Sequence, residues 1–373
     1  MYDDLYGQLQ VLEREDAPFS QEDRLRAAGR PLLYWYGKYA RKLPWRENKD
    51  PYRIWISEIM LQQTRVEAVK PYFQRFLEAF PDIPSLAAAE EDRLLKLWEG
   101  LGYYSRARNL QKCAKVLTED YKGQMPADYG ALLKLPGIGS YTAGAIASIA
   151  FSIPVPAVDG NVLRVVSRLT ANREDMTKPA AKKKIEALLA GTMDRMRPGD
   201  FNQALIEVGA VVCVPNGEPK CMVCPLASLC LAKRDSLWRE IPFKPPKKER
   251  RLEKRTVFIV EQGGRIAIRK RPPKGLLASL YELPNVEGEL PEESVAQALG
   301  LQAKEIIDTE ILPAAKHIFS HVEWNMTGYY VTLAGEPDAG KNERKDWIFV
   351  EKEQLKGQYP LPNAFQAYRK FIT

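Results

Sequence analysis

Four of the chain's five cysteines fall within eighteen residues, as Cys213-x7-Cys221-x2-Cys224-x5-Cys230. Four thiols at that spacing point to a metal site rather than to disulfides, provided the chain is not secreted. The start of the chain favours that proviso: Asp3 and Asp4 lie where a signal peptide carries basic residues, and Glu13, Arg14, Glu15 and Asp16 follow, so no leader is expected. Four thiolates suit either one zinc ion or a four-iron cluster, and the spacing is compatible with both. The bland alternative is accidental burial of unrelated cysteines. Cys113 stands alone in a helical stretch and is read as a core residue.

The 373 residues are enough for two or three domains with real cores. Hydrophobic residues at 45% and charged residues at 28% exclude a collagenous or wholly disordered chain. A net charge of +7 makes a polyanionic partner reasonable without demanding one. The only histidines are His317 and His321, so chemistry placed earlier must run on carboxylates, hydroxyls, lysines or metal, and histidine triads are excluded there. The uncharged run Leu135–Val158 is long enough to suggest a membrane span, but Pro136, Gly137, Gly139, Gly144, Pro154 and Pro156 break it. It reads as a turn plus a buried helix.

From Arg24 to about Leu231 the apolar spacing is helical, notably in Ile54–Leu61, Tyr72–Phe80, Leu94–Trp98 and Lys182–Met193. Helix starts are expected at Asp128 and at Ser85, the latter opening an Ala-rich helix through Glu90 and Glu91. The segment Lys244–Arg255 carries seven basic residues and two acids, a balance of +5, and reads as a linker. Beyond it, Thr256–Val260 and Arg265–Arg269 flank Gly263-Gly264 as a hairpin. Further strands are expected at Tyr329–Leu333 and Trp347–Val350, with helices at Glu292–Leu299 and Ala364–Phe371. An all-helical domain followed by a mixed α/β domain is the expected architecture.

Three further features carry chemistry. Leu135-Pro136-Gly137-Ile138-Gly139 puts two glycines in a turn that opens a helix, where a positive φ and close backbone approach exclude side chains and main-chain amides can hold a phosphate. A structural helix-helix turn is the simpler alternative. Asp159, in Val158-Asp159-Gly160-Asn161-Val162, is placed to cap the helix from Val162 to Leu169 and, still ionised, to face a developing cation. Glu58 lies in the otherwise apolar Ile54–Leu61, where burial would raise a carboxyl toward the range of a general acid. Taken alone, it would be a solvated helix residue.

The LPGIG hairpin, VDGNV and the four-cysteine loop, in this order over about 25–233, resemble the helix-hairpin-helix base-excision glycosylases, relatives of endonuclease III. Within that group LPWRENKDPYRIWISEIMLQQTRVEAVKPYF and WEGLGYYSRARNL closely match the adenine DNA glycosylase (MutY) family. Bifunctional relatives carry a Schiff-base lysine two residues after the second hairpin glycine. This chain has Tyr141 there, which cannot form an imine, so the resemblance implies a monofunctional enzyme. It further implies that Glu58 protonates adenine N7 and handles the water, that Asp159 stabilises or attacks C1′, and that Tyr141 and Asn161 orient them. Adenine must first be flipped from the duplex, with Gln63 and Tyr103 matching the wedge positions and Gly137, Ile138 and Gly139 the DNA-binding hairpin. Arg41, Leu43, Trp45 and Arg46 match the lining of the adenine pocket, although core packing is the simpler reading of Leu43 and Trp45. The implied cofactor is a 4Fe-4S cluster on Cys213, Cys221, Cys224 and Cys230. The family usually has six residues between the first two of these cysteines; this chain has seven, Val214 to Lys220, and because an extra loop residue costs little in closure entropy the cluster is expected to survive with a reshaped loop and altered DNA contacts.

Residues 256–373 resemble the Nudix-like domain of these glycosylases, with Gly275–Pro284 echoing the entry to a Nudix box. Where a working box has its magnesium-holding glutamates, this chain has Glu293-Ser294-Val295-Ala296-Gln297-Ala298-Leu299-Gly300, so nucleotide hydrolysis is not expected. Phe319-Ser320-His321 matches the loop that reads 8-oxoguanine, a role suited to a hydroxyl and an imidazole beside a purine edge. Without that match, His317 and His321 would be surface histidines at a strand end. The organisation so implied is an N-terminal extension 1–24, a glycosylase domain 25–233 with the cysteine loop at 213–230, a basic linker 234–255 and a lesion-recognition domain 256–373. The implied partner is duplex DNA bearing adenine opposite 8-oxoguanine or guanine. The implied setting is a monomer, not membrane-bound, in the cytoplasm of a bacterium at the nucleoid. Two other classes remain open: a bifunctional pyrimidine-lesion glycosylase and lyase, which Tyr141 argues against, and a non-catalytic DNA-binding protein with structural zinc.

Overall fold

The structure, a computed structural model, describes residues 19–246, 249–336 and 346–372. The expected N-terminal extension up to residue 18, including the leader question, and Lys247 and Lys248 of the expected linker lie outside the described residues. The chain gathers into two compact units that do not follow sequence order. One holds residues up to Ile59 together with Met125–Pro245; the other holds Met60–Gln124 and Pro246 onward.

The first unit is helical. Its core is formed by the apolar faces of Gln21–Tyr39, Gly160–Leu169, Pro179–Thr192 and Pro198–Val211, with Leu25, Leu32, Val166, Leu189, Phe201 and Leu205 fully enclosed. Three helix starts are capped by a side chain. Ser20 accepts from the amide of Asp23, Asp128 from that of Ala131 and Asp159 from those of Asn161 and Val162. The run Leu135–Val158 is the expected turn and buried helix: Ser140–Phe151 is enclosed from Thr142 through Ile149. Gly144 and Gly199 explain how it packs so tightly, because a Cβ at either would meet backbone at 2.3 Å (Pro156 O) and 2.7 Å (Ser148 O). No helix among the described residues is long and apolar enough to cross a membrane.

The second unit combines helices of Met60–Gln124 with a sheet of seven strands among the described residues. Ser85 does not open a helix, as its sequence context suggests. Asp82 caps Ile83–Ala87, and Ser85 sits at its third position, reciprocating in a capping box; the chain then breaks before a separate helix, Glu91–Leu97. The strands are β1 (Arg251–Gln262), β2 (Arg265–Lys270), β3 (Tyr281–Glu282), β4 (Asn285–Glu287), β5 (Ile306–Ile318), β6 (Val322–Leu333) and β7 (Trp347–Val350). The path runs β3-β2-β1-β6-β5, with β4 on β1 and β7 on β2. Gly263 and Gly264, at φ 55° and 79°, close the β1–β2 hairpin in the primed turn that strand twist favours.

Strand β1 begins at Arg251, five residues inside the expected linker. Pairing in parallel with β6 draws the charged residues in: Arg255 stacks its guanidinium 4.4 Å from the Trp324 ring centre, and Trp324 Nε1 donates to Glu253 at 2.9 Å. Charge alone therefore misreads this stretch, because neighbouring opposite charges and an aromatic face let it join a sheet. The expected helices Glu292–Leu299 and Ala364–Phe371 each form as a 3-10 turn running into a short α-helix, Val295–Leu299 and Gln366–Arg369.

Candidate active site

Glu58 lies on the helix Pro51–Leu61 and is only 8% exposed. Tyr141, in the first turn of Ser140–Phe151, donates its phenol to Glu58 Oε2. Burial is the main reason the Glu58 carboxyl is pushed up from 4.5 to about 7; the Tyr141 hydrogen bond opposes it, the Asp159 charge adds to it and Arg46 opposes it. An acid so poised can give and take a proton near neutral pH.

Asp159 caps Gly160–Leu169. Its Oδ1 accepts from the amides of Asn161 and Val162, both at 2.8 Å, and its Oδ2 from Asn161 Nδ2 at 2.7 Å. Burial raises this carboxyl, while the three donors, joined by the Arg164 charge, favour its ionised form. Asn161 is itself held: Arg164 Nη2 donates to its Oδ1 at 2.8 Å and to Gly209 O at 2.8 Å. Gly209 must lack a side chain, since a Cβ there would lie 2.5 Å from that of Asn161. Asn202 secures the segment leading in, accepting from Ala157 N at 3.0 Å and donating to Val155 O at 2.8 Å.

Arg41 and Arg46 meet on Glu207, which is fully buried. Arg41 donates through its amide (3.1 Å), Nε (2.7 Å) and Nη2 (3.0 Å), and Arg46 through Nη2 (2.9 Å). Burial works to raise Glu207, but the two guanidiniums outweigh it and the carboxyl lies below its ordinary range. Leu43 and Trp45, flanking Pro44 in the same loop, are buried. Glu207, Gly209, Asn202 and Arg164 escaped the sequence reading. The hint available for Glu207 was its place in the largely apolar run Phe201–Val211.

In the hairpin, Gly137 adopts φ 76° and so requires glycine, whereas Gly139 caps the following helix at φ −96° with open space where a Cβ would stand. Only the first glycine is conformationally demanded, contrary to the expectation for both. Ile138 between them is buried, its amide bonded to Leu135 O at 3.2 Å.

All four clustered cysteines line one small cavity with Arg168 and Trp238. Arg168 Nη1 donates to Cys213 Sγ at 3.3 Å, and its other nitrogens to Trp238 O and Ile241 O. Among the described residues no set of three His, Cys, Asp or Glu groups is close enough to hold one metal ion. Four soft sulfur donors round a shared cavity, with a guanidinium directed at one of them, are a chemically suitable set for an anionic metal-thiolate centre.

In the second unit, Gln63 and Tyr103 both occupy left-handed backbone, at φ 60° and 47°, where side chains rarely sit without purpose. Buried Arg106 ties their two turns together: Nη1 donates to Met60 O (3.0 Å) and Gln62 O (2.6 Å), and Nη2 to Leu101 O and Gly102 O, both 3.0 Å. Tyr103 remains 47% exposed, and its hydroxyl lies 2.6 Å from Ser320 Oγ. Phe319-Ser320-His321 forms the turn from β5 to β6, closed by Phe319 N on Val322 O at 2.8 Å. Phe319 packs edge-on to His317 and Trp324, leaving Ser320 and His321 exposed. These residues and Tyr103 border a cavity of about 670 Å³ together with Arg251, Arg255 and Arg271. At the Nudix-box entry, Glu282 is consumed by Arg269, Arg271 and Asn285, and Glu293 lies exposed.

Comparison with known proteins fits this geometry. Residues 56–190 match the HhH-GPD superfamily of base excision DNA repair proteins, and residues 256–370 match the NUDIX domain. The chain is 35% identical over 349 residues to the adenine DNA glycosylase of Buchnera aphidicola subsp. Baizongia pistaciae, covering 92% of this chain and 97% of that one. It is likewise 35% identical to the adenine DNA glycosylase of Mus musculus, covering 86% and 73%. Among solved structures, a thermostable thymine-DNA glycosylase (28% identity, TM-score 0.51) covers 57% of this chain and 97% of its own. Endonuclease III trapped as a covalent intermediate with DNA (26%, TM-score 0.50) covers 58% and 98%. With a helical glycosylase region, a Nudix-like sheet and this similarity along nearly its whole length, the chain belongs to the adenine DNA glycosylase family of base excision repair enzymes.

Proposed function

We propose that the chain is a monofunctional glycosylase that flips out and excises adenine paired with 8-oxoguanine or guanine, working as a monomer on duplex DNA in the bacterial cytoplasm at the nucleoid. The observation that carries this is the pairing of a buried, protonatable Glu58 with a hydrogen-bonded Asp159, with a tyrosine bonded to Glu58 where a lyase needs lysine. Glu58 gives its proton to adenine N7; the N9–C1′ bond breaks with its electron pair passing to the base. Asp159 stabilises the oxocarbenium-like sugar, or traps it at C1′. Water then adds at C1′, and its proton returns to Glu58. Tyr141 and Asn161 hold the two carboxylates, and Arg41, Leu43, Trp45 and Arg46 line the adenine pocket.

In this reading residues 25–233 do the chemistry and 256–373 read the lesion. Gln63 and Tyr103 fill the gap left by the flipped base, the hairpin at Gly137, Ile138 and Gly139 meets the DNA backbone, and Phe319, Ser320 and His321 address 8-oxoguanine. Cys213, Cys221, Cys224 and Cys230 would hold a 4Fe-4S cluster, which supplies a structural anchor for the loop and no chemical step.

The test is a single-turnover assay on labelled duplexes placing adenine opposite 8-oxoguanine, guanine or thymine, developed with and without alkali. Alkali-dependent breaks confined to the first two duplexes are expected; alkali-independent breaks would require a lyase nucleophile and overturn the monofunctional reading. Anaerobically purified protein should show broad visible absorbance and about four irons per chain. Stoichiometric zinc in its place would overturn the cluster assignment.

A further inference from the structure

We infer that Glu207 is a positioning residue for the chemical step: by holding Arg46 in a buried fork with Arg41, it keeps that guanidinium from pairing with Glu58 and so preserves the acid's proton. This rests on the reading of Glu58 as the general acid.

The geometry is that of a saturated carboxylate. The two oxygens of Glu207 accept four donors, three from Arg41 and one from Arg46, and no part of the side chain reaches solvent. Arg46 is held from two more directions: Nη1 donates to Arg41 O at 3.2 Å, and its guanidinium lies 5.4 Å from the centre of the Tyr36 ring. Arg46 is thus held on Glu207, on Arg41 O and on the Tyr36 ring, while its charge favours the ionised form of the Glu58 carboxyl. Released, a guanidinium near a buried carboxylate would be drawn into a bidentate pair, which typically lowers a carboxyl pKa by about one to three pH units. Glu58 would then be ionised at neutral pH, with no proton to give.

The other charged or titratable groups nearby do not substitute for Glu207. Glu58 faces Tyr141 from the helix Ser140–Phe151, Asp159 at the head of Gly160–Leu169, and Arg46. Around Glu207 stand Arg41, Arg46 and the Tyr36 phenol, which burial pushes up to about 12 and so keeps neutral; the Asp200 charge acts on that phenol. Of these, only Glu207 bonds both arginines.

The experiment is the pH dependence of single-turnover adenine excision by the full chain. Wild-type excision should fall as pH rises through the Glu58 value of about 7, because the protonated acid is the active form. E207Q should move this limb to lower pH by about one unit or more, and R46Q should move it to higher pH, since removing a cation favours the protonated carboxyl. A merely structural role would lower the rate at every pH and leave the limb in place, so an E207Q profile that superposes on the wild type after scaling overturns the inference. Should E207Q not fold, R46Q carries the test, and a limb that stays or falls is fatal. E58Q separates the two claims. If E58Q excises at the wild-type rate, the acid assignment fails; if E58Q is inactive while the E207Q limb is unmoved, only the part given to Glu207 fails.

Discussion

Around Glu207 one buried anion gathers two guanidiniums, whereas around Arg106 one buried cation gathers four main-chain carbonyls. The first arrangement fixes side chains whose charges act on a titrating group. The second fixes the shape of two turns. Arg106 is lowered by burial to about 10 and so stays charged across the physiological range; its clamp does not respond to pH, whereas the corner around Glu58 does. Buried charge thus stands beside a titrating acid in one unit and fixes backbone shape in the other, and the neighbours decide which.

The largest effects should separate chemistry from shape. Glu58→Gln and Asp159→Asn are each expected to lower single-turnover excision by about a thousandfold or more while duplex binding stays within a few fold. Asn also caps helices well, so Asp159→Asn should fold normally, and unchanged turnover would remove Asp159 from the mechanism. The acid should also leave a mark on stability. A folded-state value raised to about 7 costs nothing below the ordinary 4.5; the cost grows between those limits and is constant above, reaching on the order of 3 kcal/mol. Chemical denaturation at pH 4 and pH 8 should therefore show Glu58→Gln more stable than wild type only at the higher pH, and a pH-independent difference would contradict the buried-acid picture.

Arg106→Gln should cost about 3 kcal/mol by leaving carbonyls unsatisfied, seen as a lower Tm, without displacing the pH limb of excision. A displaced limb would erase the contrast between the two buried ions. The smallest effect belongs to the exposed turn: replacing Ser320 and His321 with alanine should reduce the preference for 8-oxoguanine over guanine about tenfold, or ~1.4 kcal/mol, measured by competition between duplexes. Equal losses on both substrates would end the reading role.

The residues legible in the sequence were those that local chemistry marks. Asp159 before a helix, Glu58 among apolar neighbours and the cysteine spacing each carry their signal within a few positions. Glu207 does not, because its arginine partners lie 166 and 161 residues away and a buried acid looks like a solvated one in a string of letters. Arg106 is hidden in the same way: in Ser105–Tyr121 it reads as one more surface cation, and only folding puts the carbonyls of two turns around it. The strand at Arg251–Arg255 reads as tether in the sequence because Glu253 pairs with Arg251 and Arg255, and the β6 ring that stacks on Arg255 is distant in the chain.

The helix Pro198–Val211 carries Asn202, Glu207 and Gly209, none of which is assigned a contact with substrate. It therefore works as a template: one rigid rod stores the relative register of the approach to Asp159, the arginine fork and the seat of Asn161. A slip of one residue would translate every mark on it by about 1.5 Å and rotate it by about 100°. Errors in this rod would thus be correlated, and substitutions that disturb its register should behave genetically like lesions in the proposed catalytic carboxylates themselves.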